Sequence, residues 1–208
     1  MITLEALLAL VSFAFVSSIT PGPNNLMLMA SGTNFGFVRT VPHLLGVALG
    51  FVLMVLLVGA GISWIFEAVP TAYTVLKVAS VGYLTYLAYR IATAAPPPER
   101  PDTLGARPLT FTQAAAFQWV NPKAWAMALT ATSAYVPAAQ PWLGLITVAA
   151  VFGAVNLPSV GVWALMGVQL RRWLRDPRAL RAFNFVAALL LLASLYPQVV
   201  EGWASVSR

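Results

Sequence analysis

The sequence has few of the residues that build enzyme active sites and cross-linked folds. It contains no cysteine, which excludes disulfides, thiolate nucleophiles and cysteine-ligated metals. A single histidine, His43, excludes a histidine cluster. Charge is scarce too, since 9% of the residues are charged against about 25% in a typical soluble domain. We therefore expect no catalytic residues, no metal site and no cofactor.

Apolar residues dominate instead. They make up 60% of the 208 residues, and the mean hydropathy is +0.80. Because so few charged side chains cannot cover so much apolar surface, the sequence predicts that a lipid bilayer is the main solvent of the chain. A spanning helix needs about 20 apolar residues, so this length accommodates about six spans and no separate soluble domain.

Six apolar runs are separated by polar or proline-rich gaps. The widest gap, residues 94–110, contains three consecutive prolines and cannot continue a helix, so it is interpreted as a linker. We predict one all-α polytopic membrane domain over residues 1–208, with six transmembrane helices. They are expected at residues 4–30, 41–66, 73–92, 111–135, 142–168 and 180–200.

The distribution of basic residues predicts the orientation. The gaps after the first, third and fifth runs hold nine arginines, whereas the opposite side holds Lys77 and Arg208. Cytoplasmic loops are enriched in Lys and Arg, so both termini are expected on the periplasmic side of the inner membrane. The net charge of +6 is thereby attributed to orientation, and no nucleic acid is expected as a partner.

The linker divides the chain into two halves of three spans each, about residues 1–93 and 111–208. An odd number of spans makes the second half cross the membrane in the opposite sense. Each half opens with a broken helix, at residues 20–24 and at residues 120–123. Paired interruptions of this kind predict two inverted three-helix repeats with a binding site between them.

The first break contains Pro21, Gly22, Pro23, Asn24 and Asn25. Each proline removes a backbone donor, and unpaired backbone at membrane depth is tolerated beside protein or a water-filled cavity. The helix that restarts there has free N–H groups suited to a carboxylate. We predict substrate binding at these five residues; the alternative is a proline kink used for packing.

The second break contains Asn121, Pro122 and Lys123. A cation deep in a span costs about 2.5–3.5 kcal/mol on insertion scales, so it usually faces a polar cavity. We predict that these residues bind an anionic group of the substrate; the alternative is that Lys123 extends to the interface. Asn156, with Pro158, forms a weaker break that either lines the same pathway or hydrogen-bonds a neighbouring helix.

No acidic residue occupies the middle of a predicted span, which favours a neutral substrate over lysine or arginine. Any ion coupling then depends on Lys123, His43 or backbone carbonyls. His43 is interpreted as an interfacial residue at the start of the second helix, with a proton relay as the alternative. Gly46 and Gly50 permit close helix contact, and small-residue helix faces also suggest a homodimer.

The two breaks resemble the lysine exporter (LysE/RhtB-type) family of amino-acid efflux proteins. The resemblance rests on residues 20–26, on Gly36, Gly46 and Gly50, on Lys77 with residues 82–87, and on residues 121–124. It covers nearly the whole chain, and departs from the family pattern at Ala88 and at residues 184–187. It implies proton-driven export of small amino acids from a bacterial cytoplasm, with both breaks on the transport pathway.

The leading hypothesis is therefore an amino-acid exporter that works by alternating access, with an amino acid and the lipid bilayer as its partners. A non-transporting membrane subunit is a second hypothesis, but it gives no reason for polar breaks at membrane depth. A membrane-embedded enzyme is a third. The enzyme hypothesis lacks suitable catalytic residues, because a Ser–Lys pair through Lys123 is the only nucleophile that the sequence offers.

Overall fold

A computed structural model describes residues 3–62, 68–93, 107–174 and 176–193. Within these ranges every regular element is helical, which confirms the predicted all-α class for this part of the chain. The α-helices are α1 (Leu4–Ile19), α2 (Pro23–Phe35), α3 (Phe37–Leu57), α4 (Pro70–Ala92), α5 (Phe111–Phe117), α6 (Pro122–Tyr135), α7 (Pro141–Trp173) and α8 (Pro177–Ala193). Most of the predicted linker and the ends of the second and sixth runs lie outside the described residues.

Among the described residues, two helices are long and apolar enough to cross a membrane. The first is α3 with the π-helical turn that follows it, Phe37–Gly61, and the second is Pro141–Arg171 of α7. The pair α1 and α2, bent by 53° at the first break, is a third candidate if it forms one span. The predicted number of six spans therefore stays a prediction.

The connection between the first two runs is shorter than the sequence suggested. Helix α2 continues to Phe35 and α3 begins at Phe37, so Gly36 alone separates them. Gly36 has a φ of +79°, in the region that side chains with a Cβ rarely adopt, and this lets the chain reverse within one residue. Helix α3 consequently starts about one turn before the predicted residue 41.

The predicted break at Asn156 and Pro158 is wrong, because α7 is continuous from Pro141 to Trp173. Proline within a helix removes one backbone hydrogen bond, here the one that the Ala154 carbonyl oxygen would accept, and membrane helices tolerate this.

Helix α2 occupies the centre of the fold. Every residue from Asn25 to Asn34 is buried, and the helix packs along α7. Glycines allow the backbones to approach: Gly32 lies against the Ala164 carbonyl, and Gly167 lies against the Met29 carbonyl. The Thr33 hydroxyl adds a hydrogen bond of 3.0 Å to the Gly167 carbonyl oxygen.

The remaining helices pack in matched pairs across the two halves. Helix α3 contacts α5 and α7, α1 contacts α7, and α4 contacts α8. Gly46 and Gly50 of α3 lie against Phe111 and Ala115 of α5, so their small size serves a contact within the chain. The homodimer stays a prediction and draws no support from this glycine face.

Candidate functional site

The two helix breaks lie next to each other although about 100 residues separate them in sequence. At the first, α1 ends at Ile19, Thr20 adopts an extended conformation, and α2 begins at Pro23. At the second, Asn121 is the N-cap of α6, and its side-chain oxygen accepts a hydrogen bond from the Lys123 N–H at 3.2 Å. Pro122 stands at the first helical position, where its missing N–H costs nothing.

Lys123 joins the two breaks directly. Its Nζ donates to the Thr20 carbonyl oxygen at 2.7 Å, to Thr20 Oγ1 at 2.9 Å and to the Pro21 carbonyl oxygen at 3.3 Å. The ammonium thus sits at the carboxyl end of α1, where unpaired carbonyls and the helix dipole favour a cation. The sequence assigned this charge to the substrate carboxylate; the structure gives it backbone carbonyls as partners.

The other carbonyls at the end of α1 are also occupied. Asn25 Nδ2 donates to the carbonyl oxygens of Ser18 and Thr20, each at 2.8 Å. Trp163 Nε1, from α7, donates to the Ile19 carbonyl oxygen at 3.0 Å. Side chains from three elements therefore satisfy the backbone that the proline break leaves open.

Gly22 makes the close approach of Lys123 possible. A Cβ at this position would lie 2.8 Å from Lys123 Cδ and 3.2 Å from Lys123 Nζ. Its backbone is extended, with a φ of −178°, so glycine is needed here for space rather than for conformation.

A small polar cavity lies between the breaks, and we call it the central cavity. Its volume is about 20 Å³, enough for about one water molecule and less than any amino acid needs. The predicted site residues that line it are Gly22, Asn24, Asn25, Asn121, Lys123 and Asn156. Pro21, Pro23 and Pro122 belong to the adjoining breaks and do not line it.

Asn156 reaches the central cavity from α7 and also bonds a neighbouring helix. Its Nδ2 donates to Ser18 Oγ of α1 at 3.1 Å. Its Oδ1 is buried and has no hydrogen-bond partner within the described residues. The predicted hydrogen bond to a neighbouring helix is therefore present, and the position of Asn156 on a transport pathway stays a prediction.

Gln118, which the sequence analysis missed, forms a reciprocal pair with Asn24. Asn24 Nδ2 donates to Gln118 Oε1 at 2.8 Å, and Gln118 Nε2 donates back to Asn24 Oδ1 at 3.2 Å. Gln118 is completely buried and also donates to the Ala114 carbonyl oxygen at 2.9 Å. The available signal was an amide in an otherwise apolar stretch just before Asn121.

A larger cavity, which we call the vestibule, lies among α2, α3, α4 and the start of α5. Its volume is about 680 Å³. Its polar and charged lining includes Ser31, Asn34, His43, Tyr83, Tyr86, Arg90, Arg107 and Gln113.

Along both chain segments, the Asn24–Gln118 pair lies close in sequence to the change from residues that line the central cavity to residues that line the vestibule. On α2, Asn24 lines the central cavity and Met27, one turn later, lines the vestibule. On the other segment Gln113 lines the vestibule and Asn121 lines the central cavity, with Gln118 between them in sequence.

His43 is more buried, and lies further into its helix, than the sequence suggested. Its side chain is 2% exposed, and neither ring nitrogen has a hydrogen-bond partner in the described part of the chain. The earlier start of α3 explains the difference, because it places His43 nearly two turns into the helix.

Comparison with known proteins decides the family. The family model described as LysE type translocator matches residues 15–194. The chain belongs to this family. This confirms the predicted family, transport rather than enzymatic activity, and amino-acid efflux as the general function.

Relatives of this LysE-type chain are named as efflux proteins. The Cysteine/O-acetylserine efflux protein of Escherichia coli K12 is 34% identical over 183 residues, which cover 87% of this chain and 91% of that protein. The protein of the same name from Shigella flexneri is 35% identical with the same coverage. No solved structure matches the chain.

Proposed function

We propose that this LysE-type protein is a secondary-active exporter of small neutral amino acids or their derivatives in the bacterial inner membrane. The observation that carries the proposal is the contact of Lys123, from the second break, with the Thr20 and Pro21 carbonyls of the first. A polar site between two broken helices of opposite halves is the arrangement found in transporters built from inverted repeats.

The geometry supports a specific exchange on substrate binding. The Lys123 ammonium occupies the carbonyls that would otherwise accept the ammonium group of an amino acid. Helix α2 has no side-chain cap at Gly22, so its first-turn N–H groups are open to a carboxylate. When Lys123 moves to the substrate carboxylate, the Thr20 and Pro21 carbonyls become free for the substrate ammonium, and the central cavity widens.

The scarcity of acidic residues supports a neutral substrate. Within the described ranges the carboxylates are Glu5 and Asp176, and neither lines the central cavity. A second positive charge on the substrate would therefore have no carboxylate to meet there. The names of the relatives, which mention cysteine and O-acetylserine, agree with this and make both compounds candidate substrates.

Alternating access is the proposed mechanism, with the Asn24–Gln118 pair as the gate between the vestibule and the central cavity. In this proposal, one domain of six spans with periplasmic termini forms two inverted repeats. The packing supports two repeats in which α1, α3 and α4 of the first half correspond to α5, α7 and α8 of the second. In that correspondence the contact of α3 with α5 matches the contact of α7 with α1, and the contacts α3–α7 and α4–α8 each join two corresponding helices. Inward proton movement, which the family resemblance implies, supplies the driving force.

Efflux from preloaded cells tests the function. Cells expressing the wild type, Lys123→Ala or Arg39→Gln are compared with an empty vector for loss of a panel of labelled amino acids. We expect faster loss of a neutral amino acid with the wild type and with Arg39→Gln, since Arg39 does not line the central cavity. We expect no such gain with Lys123→Ala. Full efflux by normally expressed Lys123→Ala would refute its role, and no effect on any amino acid would refute amino-acid export.

A further inference from the structure

We propose that the vestibule is a second binding site for the exported amino acid, where Arg90 and Arg107 hold the substrate carboxylate before it reaches the central cavity. This inference rests on the proposed function, because it assumes an amino-acid substrate that enters from the arginine-rich side. It adds a site for a small zwitterion that is distinct from the two helix breaks.

The size of the vestibule fits a ligand. Small-molecule sites usually enclose about 300–1,000 Å³, and the vestibule, at about 680 Å³, lies within that range. The central cavity, at about 20 Å³, does not. Of these two cavities, the vestibule is therefore the one that is large enough for an amino acid in this conformation.

The two arginines of the vestibule have guanidinium N–H donors that remain available within the described residues. Arg90 Nη1 donates to the Tyr86 hydroxyl at 2.8 Å, and Arg90 Cζ lies 5.8 Å from the centre of the Tyr86 ring. These contacts orient the guanidinium while using one of its five N–H donors. No carboxylate within the described ranges forms an ion pair with Arg90 or Arg107, and a guanidinium binds a carboxylate through two parallel hydrogen bonds.

His43 supplies the second, independent observation. Three buried polar side chains line this cavity, and two of them are satisfied: Ser31 by Thr40 at 2.9 Å, and Asn34 by Asn184 at 3.0 Å. His43 is equally buried, yet neither of its nitrogens has a partner in the described chain. Buried polar groups are normally hydrogen-bonded, so among the described residues this wall of the vestibule lacks a polar partner. Both nitrogens are shielded from the cavity in this conformation, so the imidazole must turn before it accepts a hydrogen bond from the ammonium group of a bound amino acid.

The position of the Asn24–Gln118 pair gives this site a role in transport. In this proposal the pair is the gate between the vestibule and the central cavity, so a substrate held by Arg90 and Arg107 waits on the cytoplasmic side until the two amides part. Binding in the vestibule raises the local concentration of substrate next to the gate, and it does not by itself start the conformational change of transport. Loss of the arginines should therefore weaken apparent affinity rather than slow the transport cycle.

Inside-out membrane vesicles test the inference, because they expose the vestibule side to the medium. Initial uptake of ³⁵S-labelled cysteine is measured with a reductant for the wild type, Arg90→Gln, Arg107→Gln and Arg39→Gln. We expect the KM to rise about 3- to 10-fold in the first two variants with an unchanged maximal rate, tenfold corresponding to about 1.4 kcal/mol. Arg39 is a matched control, since its Cζ also lies over an aromatic ring, 5.6 Å from the centre of Phe35, without lining the vestibule.

A competitor without the carboxylate sharpens the test. Unlabelled cysteamine should inhibit uptake equally well in the wild type and in Arg90→Gln, whereas unlabelled cysteine should inhibit Arg90→Gln more weakly. Equal weakening of both competitors, or a KM for Arg39→Gln as high as that for Arg90→Gln, would refute carboxylate recognition. Arginine variants that are less stable but keep the wild-type KM would assign a structural role to these residues.

The two proposals fail in different ways. If the wild type takes up no cysteine, both the exporter proposal for this amino acid and its vestibule site are overturned. If the wild type transports cysteine and both arginine variants keep its KM, the vestibule site alone is overturned.

Discussion

At the scale of single residues, the site depends on how the Lys123 ammonium is stabilised between two helices. Three oxygens surround its Nζ within 3.3 Å, one for each N–H that an ammonium carries. At the membrane depth that the sequence predicts for Lys123, these bonds would offset the cost of placing a cation there. They are also ordinary hydrogen bonds to neutral acceptors, which a substrate carboxylate can replace by a stronger charge-assisted bond.

Gly22 gives the most local test of this arrangement. In Gly22→Ala the new methyl group displaces the flexible Lys123 side chain, so the fold should survive while the contacts to Thr20 and Pro21 are lost. We expect efflux to fall about tenfold, equivalent to about 1.4 kcal/mol, with normal expression. Gly82→Ala is the control, because a Cβ there meets nothing within 4 Å. Equal efflux by both variants would contradict the importance of this contact.

Replacing His43 by an apolar residue should stabilise the protein and weaken substrate binding. In His43→Leu an apolar side chain replaces an imidazole with no hydrogen-bond partner in the described chain, which removes a penalty of about 1–3 kcal/mol. The melting temperature of the purified protein should rise by a few degrees, while the KM for cysteine increases. Asn34→Leu should lower the melting temperature instead, since it removes two hydrogen bonds with Asn184. Unfolding at a lower temperature for His43→Leu would show that this residue has a stabilising partner.

The sequence contains strong signals for the breaks and weak ones for the partners of each residue. Pro21, Pro23 and Pro122 constrain the backbone locally, so both interruptions could be predicted from their positions. The partner of Asn24 could not, because Gln118 lies 94 residues away and a single amide carries no information about distance. Pro158 misled the prediction, since proline signals a break, yet α7 continues through it with the loss of one backbone hydrogen bond.

At the scale of elements, α2 is the helix whose packing sets the geometry of both cavities. Its buried face joins α7 through Gly32 and Gly167, where the two backbones touch. Gly167→Ala should destabilise the protein by about 1–3 kcal/mol, because its methyl group meets the Met29 carbonyl and no rotamer can relieve that contact. Gly161→Ala on the same helix should be neutral or stabilising, since its nearest neighbour, Leu44 Cδ1, lies at 3.6 Å.

Thermal unfolding of the two purified variants compares them directly. A melting temperature of Gly167→Ala equal to that of Gly161→Ala would show that α2 and α7 can separate without cost at this point.

The Asn24–Gln118 pair links α2 to the short helical turn before α6, and its separation is expected in every transport cycle. The chain has no cysteine of its own, so Asn24→Cys with Gln118→Cys gives a unique thiol pair. Bridging the two thiols with a short bis-methanethiosulfonate, which forms one disulfide with each cysteine and releases methanesulfinate, should abolish efflux of O-acetylserine. Cleavage of these disulfides by a dithiol reductant should restore efflux. The single-cysteine variants treated in the same way are the controls. Undiminished efflux by the bridged protein would exclude a gating movement at this pair.

At the scale of the whole molecule, the function depends on which side of the membrane the vestibule faces. Its arginines, Arg90 and Arg107, belong to the set of basic residues that predicts the cytoplasmic side. Thr93, at the end of α4, and Ala139, between α6 and α7, are both exposed and lie at the two predicted sides. With no native cysteine to interfere, Thr93→Cys and Ala139→Cys report the orientation separately.

A membrane-impermeant maleimide should label Ala139→Cys in intact spheroplasts and Thr93→Cys in inside-out vesicles. This outcome places the vestibule in contact with the cytoplasm, where an exporter must collect its substrate. The reverse pattern would turn the vestibule into an exit and would make the arginine pair a site of release rather than capture. In that orientation Arg90→Gln should change the rate of substrate loss from loaded cells and leave the apparent affinity for cytoplasmic substrate unaltered. Labelling and kinetics together therefore determine the direction in which the two cavities are used.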